Sequence, residues 1–478
     1  MRRVTINERD VTVVDNQAIV TDVVYVPGFA LGKTNGRDLD TAVAPHVPTY
    51  CENVTDFFNF FGADAPFFNQ DQFYTGFEES AVPIDGESVT PATTVMFHKD
   101  DIDPSYIYAL EILSSGLPVV YERMNENTNA YTQQEQEEGG ETTTVTVPDP
   151  TYDVDLAHAY AQFALIFNAS SSSLMDRNGI SIKYLTSGGY PTFEYGEGSP
   201  LAKAMQMLAY SRGDCIAFID HTNYPARPLT GESSVYTKVT GTASTASPLN
   251  TDAVGSYSTM ITPWFNAALS NIYVDGTGQS SISSCMMPGS FAYLTALASS
   301  LKTNANWLAI AGVARGRVPH LLSMGTESVL TNTIAENMTP IYGEAINPIT
   351  NIRPYGNTIW GNRTLLDTSS KTGYATGFLN IRNLVCDVKK QAYIAAMSCM
   401  FEQNTDVLWI NFKSMIQPML EQMRSGGGLK NYKIIKLPGS ERETIRAKIV
   451  LVPVYAVEQF IIDIFITDSD VSLEEAEA

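Results

Sequence analysis

Gly28-Phe29-Ala30-Leu31-Gly32-Lys33-Thr34 follows a strand-like run and carries the parts of a phosphate-binding loop: two glycines, a lysine and a hydroxyl. Such a loop needs four residues between its glycines, so that successive backbone N–H groups wrap a phosphate. Here there are three, and Pro27, which has no N–H to donate, stands where the first glycine belongs. The spacing predicts a turn. His46, His98, His158, His221 and His320 are too far apart for any two to share a helix face. Asp153, Asp155 and His158 come nearest to a metal-ligand group, beside an acidic stretch that reads more simply as a solvated loop. Asp220-His221 closes a short apolar run, where the ligands of α/β enzymes gather, but no partner in the sequence completes a catalytic set. Gly-x-Ser-x-Gly, His-Glu-x-x-His and paired-cysteine motifs are absent. Cys51, Cys215, Cys285, Cys386 and Cys399 are odd in number and widely spaced, and they read as buried reduced thiols. No enzyme activity and no cofactor or metal is expected.

One charge feature stands out. Lys413, Arg424, Lys430, Lys433, Lys436, Arg442, Arg446 and Lys448 share a window with only three acids, Glu421, Glu441 and Glu443, a local charge of +5. The whole chain of 478 residues carries −22. The strip is either an ordinary helix-and-hairpin face or a surface that meets an acidic partner. The net charge argues against general nucleic-acid binding and against docking on an anionic membrane. Charged residues make up 17% of the chain, below the usual quarter, which fits surfaces covered by other subunits. Met1-Arg2-Arg3 is not followed by the apolar stretch of a signal peptide, and no run of 18 apolar residues suggests a membrane span.

The elements that must position these residues are legible as patterns. Residues 1–14 alternate, with Val4, Ile6, Val11 and Val13 as the apolar members of an extended strand. A strand over 19–26 runs into Pro27-Gly28, and residues 56–62 form a short aromatic helix stopped by Gly62. A helix over 105–115, Gly116 and a strand over 117–121 make one unit. A helix over 201–208, Gly213 and a strand over 215–220 make another, and such units predict an α/β layer with a partly parallel sheet. From Met124 to Asp176 there is no Lys or Arg, and this stretch reads as an exposed insertion. Thr237 to Asn250 reads as a surface loop or hairpin. Leu384, Val385, Val388, Ala392, Ala395 and Cys399 mark one helix face. Asp406 is placed to cap a second helix, with Met415, Met419 and Met423 toward the core, and Ser425-Gly426-Gly427-Gly428 breaks it. Strands follow at 432–436, at 444–452 and at 460–467, where Phe460, Ile462, Ile464 and Ile466 alternate; an acidic tail over 468–478 follows.

Ala345-Ile346-Asn347-Pro348-Ile349, then Arg353-Pro354-Tyr355-Gly356, then Ile359-Trp360-Gly361-Asn362-Arg363-Thr364-Leu365, resembles the signature of contractile tail sheath proteins. Asn380-Ile381-Arg382-Asn383-Leu384 is similar to the segment that opens the family's next helix, with Asn383 where a second arginine is usual. Phe401-Glu402-Gln403-Asn404 with Leu408-Trp409 continues the series. Thr262-Pro263-Trp264, Pro288-Gly289-Ser290 and Ala311–Gly316 fit the central part, and Val26–Gly32 through Gly62 the start. The likeness is dense over 258–467 and fails over 63–100 and 125–175.

The resemblance implies an α/β and α+β multidomain fold. It implies an N-terminal arm (1–22), an α/β sheath core (23–62, 101–124 and 176–335), surface insertions (63–100 and 125–175) and a C-terminal sheath domain (336–478) ending in an arm (458–478). It also implies stacked hexameric rings around an inner tube, linked by arms that lend strands to neighbours, and contraction that drives the tube through a target envelope. The tail tube, baseplate and tail terminator proteins would be the partners. The location would be a virion tail assembled in the cytoplasm of a bacterial host. Lys413, Arg424, Lys430 and Lys433 are the tube-facing candidates. Two alternatives remain at this point: an α/β enzyme around Asp220-His221, and a static tail tube or baseplate protein.

Overall fold

The Val-Tyr-Val run after Asp22 forms β1 (Val24–Gly28), buried along its whole length. A strand covered on both faces needs layers above and below it, which a chain supplies by crossing over and returning in parallel. β2 (Pro48–Cys51), β3 (Val119–Arg123), β4 (Tyr184–Leu185), β5 (Ile216–Phe218) and β6 (Ser258–Thr259) complete a six-stranded sheet of order β6-β5-β4-β1-β3-β2. Five strands are parallel, and β2 joins β3 antiparallel at one edge. The partly parallel α/β layer expected from the helix–glycine–strand units is therefore present. This computed structural model describes residues 22–35, 37–67, 72–74, 95–97, 101–124, 131–138, 141–148, 156–192, 200–220, 252–274, 281–324, 346–366, 375–437 and 444–458.

Alternation along the strands sorts the core into two layers. Val24, Val26, Val119, Tyr121, Ile216 and Phe218 face one cluster, built with α1 (Val54–Phe61) and α2 (Pro104–Ser115). Val23, Tyr25, Val120, Leu185 and Ala217 face the other, built with α3 (Leu156–Ile166) and α4 (Pro200–Arg212). α2 starts where Asp103 caps it and Pro104 pre-sets the first turn, and it stops at Gly116, whose φ of 101° suits glycine. Ile107, Tyr108, Leu110 and Ile112 are all buried. Side chains of this size contribute roughly 1.5–3 kcal/mol each. α3 lies within the stretch read as an insertion, yet its Ala159, Tyr160, Phe163 and Ile166 pack on the sheet. The polar, acidic run of that stretch forms a hairpin, 131–138 paired with 141–148, and the apolar helix follows it.

β7 (Ile261–Thr262) leads to β8 (Phe265–Val274), β9 (Ser281–Met287) and α5 (Gly289–Leu301). β10 (Leu321–Met324) joins β8 and β9 in a three-stranded sheet. β11 (Asn347–Ile352) and β12 (Gly356–Ile359) form another with β7. Ile349, Ile359, Leu379 and Cys386 belong to the first core cluster, and Ile346 and Leu365 to the second.

The 20-residue α6 (Leu379–Ser398) leaves this core by its length, about 30 Å. Its Leu384, Val388 and Ala395 meet Ile416, Leu420 and Met423 of α7 (Asp406–Ser425) in a third, smaller cluster. The antiparallel hairpin of β13 (Leu429–Lys436) and β14 (Ala447–Pro453) lays Tyr432, Ile434, Ile449 and Leu451 on that cluster. Two local readings need correction. Thr405, not Asp406, caps α7, its side chain accepting from Leu408 N–H. Met415 is 39% exposed while Ile416 is fully buried, because α7 turns its Phe412–Ile416–Leu420–Met423 row inward. Among the described residues no helix is long and apolar enough to cross a membrane.

Candidate functional site

The Gly28–Thr34 turn spends its N–H groups internally. Phe29 N–H donates to Asp103 Oδ2 at 3.3 Å, Ala30 N–H to Tyr121 Oη at 3.1 Å and Gly32 N–H to the Phe61 carbonyl at 2.8 Å. A side chain at Gly28 would collide with Tyr121 Oη and Ser105 Oγ. Asp103 is fully buried, and burial raises its pKa, against which it accepts from Ser105 Oγ at 2.6 Å and Tyr190 Oη at 2.7 Å. These bonds brace the strand ends and leave no cradle for phosphate. The described histidines stand apart: His46 lies 3.6 Å from Glu122, His158 packs on Phe29, and His320 bonds Thr295 between Phe265 and Phe291. His98, His221, Asp153 and Asp155 lie outside the described residues. The five cysteines are free, and among the described residues no group of acids, histidines and cysteines could hold a metal.

Asp220 lies two residues past the end of β5, 1% exposed, and is fully engaged. Ser290 donates to it from Oγ at 2.7 Å and from its backbone N–H at 3.3 Å, and Tyr108 donates to Ser290 Oγ at 3.0 Å. The carboxylate thus sits at the N-terminus of α5, whose first residue, Gly289, lies too close to the Ile261 carbonyl to carry a side chain. Burial pushes the Asp220 pKa up to about 7. The folded chain therefore keeps a proton between pH 4 and 7 that the unfolded chain has released, so its stability falls as pH rises through this window. The loss is at most on the order of 4 kcal/mol. Asp220→Asn, which stays neutral, is expected to match the wild type at pH 4 and exceed it at pH 8, read from denaturant midpoints at both pH values.

Five residues of the family-like signature, Asn347, Pro348, Arg363, Arg382 and Asn383, are buried about one junction. Asn347 holds the backbone of Arg363 in both directions: its Oδ1 accepts from Arg363 N–H at 2.7 Å, and its Nδ2 donates to the Arg363 carbonyl at 2.8 Å. Pro348 is paired with Thr262 in the β7–β11 ladder and accepts from Trp360 N–H at 2.7 Å. Gly356, at φ 86°, turns the β11–β12 hairpin, and Gly361 follows the half-exposed Trp360 into the Arg363 segment. Arg382 donates from Nε to the Ser256 carbonyl at 2.9 Å, with its guanidinium 4.0 Å over the Tyr257 ring. Asn383 is fully buried and donates to Tyr293 Oη at 3.1 Å, whereas Trp409 stacks on Phe412 in α7.

The junction also holds a charge cluster that pattern reading missed. Lys183, fully buried at β4, lies 2.9 Å from Asp22 and 2.9 Å from Asp387 of α6. Burial works to lower the Lys183 pKa, but the two carboxylates raise it above the ordinary value. Burial raises Asp387, and Lys183 opposes it. Burial also works to raise Asp22, yet Lys183, Asn306 and Tyr184 hold it below the usual range. The available signal was a lysine inside the apolar run Ile180–Leu185.

The basic strip is divided. Lys413 and Arg424, eleven residues apart, fall on one side of α7, where Arg424 pairs with Glu421 at 2.7 Å. Lys430 is exposed where α7 passes into β13. Lys433, opposite Val450, lies on the hairpin face turned away from α7, whereas Lys436 turns back to reach Asp406 at 3.2 Å. Arg442 lies outside the described residues. So do Val4, Ile6, Val11, Val13, Phe460, Ile462, Ile464 and Ile466.

No protein-family model matches the chain. A tail sheath protein of Vibrio phage KVP40 is 24% identical over 175 residues, which span 35% of this chain and 25% of the phage protein. A sheath chain of the extracellular contractile injection system PVC, in its contracted state, superposes with a TM-score of 0.56 at 15% identity, covering 98% of both chains. A chain of the anti-feeding prophage baseplate superposes at 0.50 and 13% identity, over 94% of this chain and 93% of that one. The chain has the fold of contractile sheath proteins, and its resemblance to the tail sheath family is met by a sequence match as well as by the fold. These relatives are structural components and not enzymes.

Proposed function

We propose that the chain is the subunit of a contractile sheath that polymerises as stacked hexameric rings around an inner tube and shortens to drive that tube through an envelope. What carries the reading is the coincidence of a superposition over 98% of the chain with the five buried signature residues at one junction. The unpaired hairpin supports it. Among the described residues β13 and β14 pair only with each other, so both outer edges present backbone donors and acceptors. An exposed edge is a template for strand addition. The alternating residues Val4 to Val13 and Phe460 to Ile466, lent by neighbours, have the pattern to fill it. Tail tube, baseplate and terminator proteins are the proposed partners, in a virion tail assembled in a bacterial cytoplasm.

The baseplate likeness favours one second reading, a static baseplate component. Negative-stain microscopy of the chain expressed with its tube separates the two: long hollow cylinders support the sheath, and isolated rings the baseplate component. Lys413 and Arg424, with Lys430, are proposed to face the tube, while Lys433 belongs to the opposite face. Exposed pairs are individually weak and are screened within about 8 Å at physiological salt, so attachment depends on six-fold repetition. Lys413→Glu with Arg424→Glu is expected to abolish cosedimentation with the tube, as high salt weakens it in the wild type. Lys433→Glu is expected to leave tube binding intact.

A further inference from the structure

Asp22 and Glu458 are both acids, and each is held by a cation of the junction. At the first, Lys183 binds Asp22 and Asp387 together. Asn306 ties the same two carboxylates, donating from Nδ2 to Asp22 Oδ2 at 3.1 Å and to Asp387 Oδ2 at 3.0 Å. Tyr184 adds a bond to Asp22 Oδ1 at 3.1 Å. At the second, Arg363 donates to Glu458 Oε2 from Nε at 3.0 Å and from a terminal nitrogen at 2.5 Å. The same guanidinium lies 4.1 Å over the ring of Phe378, against which Tyr455 packs edge-on at 5.3 Å. Both anchors end on α6: Asp387 is on it, and Phe378 is its N-cap.

We infer that these two ion-paired anchors are tension clamps, which hold the roots of the proposed arms (1–22 and 458–478) and deliver a pull on either into α6. The inference rests on the arm reading above. A root held only by the end of a strand peels one hydrogen bond at a time. A root held on a buried cation resists as a unit, because separating the pair leaves a charge unpaired in a poorly solvated site. Joining both roots to one helix lets a load entering by one arm leave by the other without crossing the six-stranded sheet. The backbone grip of Asn347 on Arg363 stiffens the second clamp.

The test uses the full-length chain with Asp22→Asn and Glu458→Gln, which keep side-chain shape and alter residues that are not fully buried. Hydrogen exchange on the unassembled subunit is expected to be at least tenfold faster at residues 23–26 and 454–457. Assembled cylinders of the double variant are expected to break under sonication to lengths several-fold shorter than wild type. Unchanged exchange overturns the inference, as does faster exchange with wild-type resistance to shear. Failure of the arm reading itself has a different signature: chains lacking residues 1–14 that still build cylinders.

Discussion

A chain lacking residues 1–14, or ended before Phe460, is expected to fold as a subunit and form no long cylinders. The two main core clusters are built from residues between Val23 and Cys386, so neither truncation removes a side chain from them. What is lost is strand addition on the open hairpin. A strand making four to six backbone bonds, at roughly 1 kcal/mol net each, contributes a few kcal/mol per contact. A few kcal/mol is a factor of about a hundred to several thousand in an association constant, enough to separate polymer from monomer. Circular dichroism and melting should therefore stay near wild type while microscopy shows only short oligomers. The shorter C-terminal chain is expected to lose some stability in the third cluster, since β14 then ends close to a free terminus. Regular cylinders from either truncation would show that something other than arm exchange links the subunits.

Replacing Lys183 with Met is expected to be the most destabilising single change at the junction. It leaves Asp22 and Asp387 facing each other with their shared cation gone, and breaking a buried pair costs about 3–5 kcal/mol. Most of that cost is an uncompensated anion, which predicts two further results. Adding Asp387→Asn should recover part of the stability, because one of the two stranded charges disappears. The deficit of the single variant should also shrink as pH falls from 8 to 5: without Lys183 both carboxyls titrate higher in the folded state than in the unfolded chain, and proton uptake then favours folding. Urea midpoints for the four chains of this cycle, at both pH values, measure all of it. A deficit independent of pH would mean that the loss is packing and not charge.

Much of the fold is local and was legible. Gly62, Gly116 and Gly213 stop helices where expected, at φ of 85°, 101° and 75°. The run Val23–Val26 alternates between the two faces of the sheet, and Pro27, having no N–H, is itself incompatible with a phosphate loop. Asp220 shows the limit. The sequence places an acid at a strand end, which is where catalytic groups sit, and only the arrival of Ser290, 70 residues away, shows that it braces a helix.

The sequence by itself determined the strand faces, most helix faces, the glycine stops and the ordered signature, because these follow from backbone sterics and from burial periodicity within a few residues; the face of α7 was the exception. Tertiary structure alone decided which charges meet. Lys183 finds Asp22 across 161 positions and Asp387 across 204, and Arg363 finds Glu458 across 95. It also divided the basic strip, because a helix and the hairpin packed on it present opposite outer faces however close their residues lie in the chain. A charge carries no periodicity that names its partner; its pairing is settled only when burial makes an unpaired ion too costly to leave.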